Sequence, residues 1–287
     1  MAATAPDEVG LGAWRREPAT AVRRAAVLPE GVPGSAVIYA ESETPGVPTE
    51  WLPHAHPMHE LVWVRGGTLT ARVGSRMFTV AEGAALWLPA GVAHAGRLTA
   101  RVELHDAFFA PDRTPLDLAE PRTIAMTPVL ESLLTHLSRP DLDPAMRARA
   151  EAVVFDVLEP SDQLLELPLP GDPRIDPVAR ALLCDPADAR GLDDWAAELG
   201  VSDRTVTRAF RRATGLSFAQ WRRAVRVHHA LALLADGWDV QGTSEQLGYA
   251  QPSTFITAFR QVVGTTPGAF AARLGTTPVS GKPYRAS

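Results

Sequence analysis

Between residues 36 and 109, apolar and polar positions alternate in short runs rich in β-branched and aromatic side chains. The runs 36–40, 60–65, 68–73, 76–80, 85–89 and 101–109 are strand-sized, and Gly66-Gly67, Gly74-Ser75, Glu82-Gly83 and Ala90-Gly91 punctuate them. Period two with evenly spaced glycine turns predicts a small antiparallel barrel or sandwich. The period then changes. Residues 127–138 bring Val129, Leu133, Leu134 and Leu137 to one helical face, and residues 143–158 do likewise with Ala150, Val153, Val154 and Leu158. These helices are expected to cover the barrel or to pair between subunits.

The remaining chain divides by the same criterion. Residues 1–35 are polar without lasting period and read as a loose arm; 159–177 are proline-rich and read as a linker. Residues 178–274 are helical in period, and 275–287 read as a frayed tail. The expected fold class is α+β and multidomain. An N-terminal β-barrel (36–110) is followed by helices (111–158) and, past the linker, by an all-α domain.

The all-α region repeats itself. Leu199-Gly200-Val201 recurs as Leu247-Gly248-Tyr249, Phe210 as Phe259 and Gly215 as Gly264, at offsets of 48 to 49 residues. In the first copy, Asp193 is placed to cap a helix burying Leu192, Trp195, Ala196 and Leu199. Ser202 caps a second helix with Val206, Ala209, Phe210 and Ala213 inward. Arg204, Thr205, Thr207, Arg208 and Arg211 are left outward. A short helix, a glycine turn and a second helix with basic, polar outward positions suit major-groove reading. The second copy presents Pro252, Ser253, Thr254 and Thr257 and buries Phe255, Ala258, Phe259 and Val262. Between the copies, Ser217 and Gln220 form a capping box at the head of a long connector that stops at Gly237. At about 1.5 Å per residue that connector approaches one turn of B-DNA.

Charge fits this reading once divided. The whole chain carries −5, but residues 172–287 hold 14 Lys and Arg against 11 Asp and Glu. Seven arginines and one acid, Asp203, fall between 200 and 230. Phosphate affinity follows local charge, so the acidic total is no obstacle. The single cysteine, Cys184, rules out an internal disulfide and a thiolate metal cage, and is expected as a small buried hydrophobe. No run has the roughly 18 apolar residues of a membrane span. No apolar stretch follows Arg15-Arg16, so no secretion signal and no membrane partner are expected, and the cytoplasm is the expected compartment.

These residues carry a resemblance. Residues 178–274 resemble the DNA-binding domain of the AraC/XylS transcription regulators throughout: in 192–215, in the connector with Arg226, and from Leu247-Gly248-Tyr249 through Phe255, Phe259, Gly264, Thr266 and Pro267. The resemblance implies double-stranded promoter DNA as partner, read by Arg204, Thr205, Thr207, Arg208 and Arg211, then Ser253, Thr254 and Thr257. It also implies an activator that meets RNA polymerase, and a homodimer. One departure is Gly242-Thr243-Ser244, where better helix formers are usual; interior glycine costs about 1 kcal/mol against alanine.

Five of eight histidines lie between 54 and 105. His54 and His56 share a face of an extended segment, Glu60 follows, and His94 comes just past a later strand. Three imidazoles and a carboxylate without sulfur suit a divalent Fe, Mn, Ni, Cu or Zn ion. The stretch 54–94 resembles the two cupin motifs, His54-x-His56-x-x-x-Glu60 and Gly83 through Pro89 and Gly91 to His94, with all four ligand positions occupied. Pro48 and Leu98 stand where that family has glycine and asparagine. Two readings stay open: a metal site, or an organic-effector pocket with relic ligands. Trp51, Trp63, Trp87 and His105 are candidates for its border, and His59 is expected on the opposite face. The expected function is a non-enzymatic transcription regulator controlled by a small molecule or a metal. The alternatives are a metal-dependent cupin dioxygenase or isomerase coupled to DNA binding, and a metal-sensing repressor.

Overall fold

The computed structural model describes residues 19–24, 36–100, 102–161 and 166–274. They form two compact units, one from residues 19–73 and 80–161, the other from 74–79 and 166–274. The expectations for most of residues 1–35, for Arg101 and for 275–287 fall outside the described residues.

In the first unit, β1 (Ala21–Arg23), β3 (Thr49–His54), β8 (His94–Leu98) and β5 (Thr68–Val73) lie side by side in that order. A five-stranded antiparallel sheet has the order β10 (Arg122–Ala125), β7 (Ala84–Leu88), β4 (His59–Arg65), β9 (Glu103–Phe109), β2 (Ile38–Glu43). The strands thus form separate sheets, not one closed sheet. Four of these strands fall outside the expected runs, β1, β3, β8 and β10; β1 lies in the arm and pairs in parallel with β3. Prolines and glycines in or beside them (Pro48, Pro53, Gly96, Pro121) break the period-two pattern there.

Alternation across β2, β4, β7 and β9 makes two faces. Ile38, Ala40, Leu61, Trp63, Ala85, Trp87, Ala107 and Phe109 pack against α1 (Pro128–Leu137) and α2 (Pro144–Val157) through Leu130, Leu134, Leu137, Val154 and Leu158. Thr127 and Asp143 cap these helices. The inward sets differ from expectation: Val129 and Val153 are exposed, while Glu151 is buried. Glu151 is drawn in because Oε1 accepts the main-chain N–H groups of Val37 (2.9 Å) and Ile38 (3.1 Å), two donors that β2 leaves without a strand partner.

The second unit contains β6 (Arg76–Ala81) where it pairs with β11 (Glu166–Pro168), a strand inside the stretch expected as linker. Then follow α3 (Asp176–Cys184), α4 (Leu192–Glu198), α5 (Asp203–Thr214), α6 (Phe218–Ala235), α7 (Val240–Gln246), α8 (Pro252–Val263) and α9 (Pro267–Arg273). Trp195, Val206, Phe210 and Trp221 centre one core with Val178 and Leu182. Phe255, Phe259 and Phe270 meet edge to face in a second, at 5.8 and 5.7 Å. Ser202 caps α5, and the Ser217–Gln220 box closes at the head of α6. Asp193 does not cap α4: the N-cap is Gly191, two residues earlier, and the side chain of Asp194 in the first turn reaches back, its Oδ2 accepting the Gly191 N–H at 2.8 Å. Cys184 is exposed at the end of α3, not buried. No helix among the described residues is long and apolar enough to cross a membrane.

Candidate functional site

In the first unit, a cavity of about 310 Å³ lies on the faces of β2, β4 and β9 turned away from α1 and α2. Its walls include Glu60, Val62, Leu88, Leu104, Asp106 and Phe108 on one side, and Trp51, His54, Leu69, Ala71, His94 and Gly96 on the other. Trp51 and His54 are three apart and yet both reach it, because the β3–β8 register shifts between them. Such a bulge reverses the alternation.

The histidines converge here. Donor atoms of His56, Glu60 and His94 lie within 4.8 Å of one another. His56 Nε2 is 2.9 Å and His94 Nε2 3.4 Å from Glu60 Oε2. The His54 donor lies outside that set, although its ring centroid is 4.2 Å from that of His94. Each of the three rings has Nδ1 beside a main-chain carbonyl: Leu52 at 2.8 Å, Met58 at 2.7 Å and Val92 at 2.9 Å. Donating from Nδ1 fixes the tautomer and leaves Nε2 with a lone pair. His56 Nε2 then faces a carboxylate oxygen, and two lone pairs at 2.9 Å need a proton or a cation between them.

Electrostatics agree with that need. Burial pushes the Glu60 carboxyl up, but the His56 hydrogen bond and the two imidazoles pull it down to about 2. Burial alone lowers His56, and the Glu60 partner raises it overall. His94 is lowered by burial, against the pull of Glu60. Asp106 is raised well above the usual range by burial and by Glu60 beside it. Nitrogen and carboxylate donors of this kind, oriented through carbonyls, fit a divalent first-row metal.

Of the expected border residues only Trp51 lines the cavity. Trp63, Trp87 and His105 stand on the other face of the five-stranded sheet: Trp63 stacks on His105 at 5.0 Å, and Trp87 Nε1 donates to the Leu118 carbonyl at 3.0 Å. Parity explains it, since Trp63 is an odd step from Glu60 and His105 an odd step from Asp106. The same parity would have found Asp106, Glu41 and Glu43, which the sequence reading missed and which line the cavity. His59 is apart from the cluster, accepting the Ala90 N–H at 3.0 Å and stacking on Trp87.

In the second unit, α4–α5 and α7–α8 form two helix-turn-helix elements. On α5, Arg204, Arg208 and Arg211 are exposed, and Thr205 and Thr207 half-buried; the Thr205 hydroxyl is 3.0 Å from Ser202 Oγ. On α8, Ser253, Thr254 and Thr257 are exposed, and Thr257 Oγ1 donates back to the Ser253 carbonyl at 2.9 Å. Arg212, Ile256 and Arg260 share this outward exposure and were not singled out. The arginine cluster is not uniform. Arg222 donates to the main-chain carbonyls of Arg190 (3.0 Å) and Asp188, and Arg226 donates to that of Pro186 (2.8 Å) while lying over the Tyr249 ring. These two hold the 185–190 loop. Gly248, at φ 71°, passes so near this loop that a Cβ would lie 3.0 Å from the Ala187 carbonyl oxygen. Arg223 stays exposed, donating to Gln261 Oε1 at 2.7 Å. A groove of about 730 Å³ has the three connector arginines and Ser253, Thr254 and Thr257 among its walls.

Comparison with known proteins agrees with both halves. A helix-turn-helix domain family matches residues 195–273, and a cupin domain family matches residues 43–108. The chain is 33% identical over 235 residues to the HTH-type transcriptional regulator NimR of Escherichia coli, covering 80% of this chain and 86% of NimR. It is also 33% identical over 212 residues to the HTH-type transcriptional regulator RipA of Corynebacterium glutamicum, covering 73% of this chain and 61% of RipA. Among solved structures, the DNA-binding domain of AdpA in complex with a target DNA aligns at 30% identity and a TM-score of 0.34, over 36% of this chain and 93% of that one. The chain therefore belongs to the AraC family of helix-turn-helix regulators, with an N-terminal cupin domain, and is a DNA-binding transcriptional regulator.

Proposed function

We propose that the protein is a homodimeric activator whose hold on promoter DNA is set by what occupies the cupin cavity. His56, Glu60 and His94, with His54 beside them, would hold a divalent transition metal (Fe, Mn, Ni, Cu or Zn), and a small-molecule effector would share the cavity with it. Base edges are read from Arg204, Thr205, Thr207, Arg208 and Arg211 on α5 and from Ser253, Thr254 and Thr257 on α8. RNA polymerase is the partner at the promoter, and the cytoplasm the place of action. The effector must favour one arrangement of the protein over another, because only differential affinity shifts a population.

The single observation that carries the cavity reading is the shared orientation of three imidazoles. Each Nδ1 is tied to a carbonyl, and Glu60 lies against the Nε2 atoms of His56 and His94. A packing role for the histidines would not require that common tautomer. The test is metal analysis of protein purified without chelator, followed by promoter-binding titrations before and after metal removal. One ion per chain, lost in His56→Ala, with a changed promoter affinity on removal, is the expected result. Substoichiometric content of every metal would remove the metal, and unchanged promoter affinity would remove the control.

A further inference from the structure

The cavity carries carboxyl groups beyond the one that the histidine cluster uses. Four carboxyl groups line it, Glu41, Glu43, Glu60 and Asp106, and among the described residues neither lysine nor arginine does. Glu41 and Asp106 are direct cross-strand partners in the β2–β9 ladder, and Asp106 is also within hydrogen-bond reach of Glu60. Three carboxyl groups in a row, Glu41, Asp106 and Glu60, need a proton or a cation shared among them, and an added positive charge can take that place. The rim already shows what such a lining attracts. Arg23 pairs with Glu43 at 2.6 Å and lies over the Trp51 ring at 5.8 Å, and both of those residues line the cavity. One cation of the chain itself is thus seated by a carboxylate and an aromatic face. Deeper in, Val62, Leu69, Leu104 and Phe108 provide apolar wall. A cavity of about 310 Å³ exceeds what a bare ion fills and is at the small end of the range for organic ligands.

We propose that the effector is a small organic cation: a protonated amine or amidine on an aromatic or branched apolar body. Its charged head sits against Glu41 and Asp106, and its body lies on Leu69, Leu104 and Phe108. The proposal rests on the reading of this cavity as the effector site and names the chemistry it selects. A carboxylate of the same size is disfavoured, since it would meet Glu41 and Glu43 with neither lysine nor arginine among the described residues of the lining.

Calorimetric titration of the full chain tests this, using benzylamine, phenethylamine and benzamidine against phenylacetate and benzyl alcohol, with both chelator-treated and zinc-loaded protein. At least one of the cations should bind tighter than phenylacetate by about tenfold or more in both preparations, as expected of charge complementarity in a cleft. Glu41→Gln and Asp106→Asn should each weaken that cation by about fivefold or more, with circular dichroism unchanged. Three outcomes overturn the proposal: no heat from any of the cations, phenylacetate or benzyl alcohol binding as tightly, or cation affinity unchanged in both variants. Promoter affinity is measured separately with the best cation. A cation that binds as described and leaves promoter affinity unchanged upholds the ligand class and removes only the regulatory reading.

Discussion

The two helix-turn-helix elements are built to one plan and present different chemistry. In the first, α5 begins at a side-chain cap on Ser202, buries Val206, Ala209 and Phe210, and turns Arg204, Arg208, Arg211 and Arg212 outward. In the second, α8 begins at Gln251 without a side-chain cap, buries Phe255, Ala258, Phe259 and Val263, and turns out Ser253, Thr254, Ile256 and Thr257. Both helices end at a left-handed glycine, Gly215 or Gly264. Packing is therefore alike where the two copies face inward, and outward chemistry differs: four arginines on α5 against hydroxyls, an aliphatic and the single Arg260 on α8. A scaffold fixed by a few aromatic residues leaves the opposite helix face free to vary.

The largest expected effects break or confirm the shared plan. Phe210→Ala and Phe259→Ala each remove a fully buried ring, and each should lower unfolding free energy by about 3–5 kcal/mol in denaturant titrations. Similar losses mean equivalent scaffolds. A loss below about 1 kcal/mol at Phe259 would mean that the second element contributes little to the fold.

The outward difference predicts a smaller, asymmetric pair. Arg208→Ala should weaken cognate promoter binding by about 1–3 kcal/mol and random-sequence binding much less, as for a base-reading arginine. Thr254→Ala should cost about 1 kcal/mol or less on the same promoter. Equal losses on cognate and random DNA for Arg208→Ala would sink its reading role, and a Thr254 effect exceeding that of Arg208 would reverse the order of the two elements.

How much of this was legible depends on which interactions are local. Caps at Ser202 and Ser217 reach three residues along the chain, so both could be read from spacing. The same holds for the apolar faces of α5 and α8. The motif spacing from His54 to His94 located the cluster without showing that the Nδ1 atoms are tied to carbonyls. Arg222 and Arg226 were indistinguishable from the exposed arginines, because what sorts them is a loop 32 to 40 residues earlier in the chain. Glu151 reads as a surface residue in the sequence, but the N–H groups of Val37 and Ile38, 114 and 113 residues away, claim it. Long-range acceptors leave no periodic trace.

A further contrast lies in α7, which buries two hydroxyls where α4 buries Trp195 and Ala196. Thr243 and Ser244 are both fully buried, and neither hydroxyl finds a partner among the described residues. An unpaired buried hydroxyl is unfavourable, and valine nearly matches threonine in volume and helix propensity. Thr243→Val should therefore raise unfolding free energy by about 1 kcal/mol. A loss instead would show that the hydroxyl is paired in solution, most simply by water.

The smallest effect concerns Gly242, whose glycine looked like a weakness of the second element. It sits in the first turn of α7, and its N–H donates to Asp239 Oδ1, the helix cap, at 2.6 Å. A Cβ there would lie 3.1 Å from that same oxygen. Alanine brings about 1 kcal/mol of helix propensity. It also pushes on a cap worth about the same. The two offset, so Gly242→Ala should leave stability within about 0.5 kcal/mol of the parent. A full kilocalorie of gain would mean the Asp239 carboxylate gives way freely and the glycine is a true defect of the second element. A loss of that size would mean the cap is rigid and the glycine is required beneath it. Near-neutrality places the difference between the two elements on their outward faces, not in the helix that leads into the second.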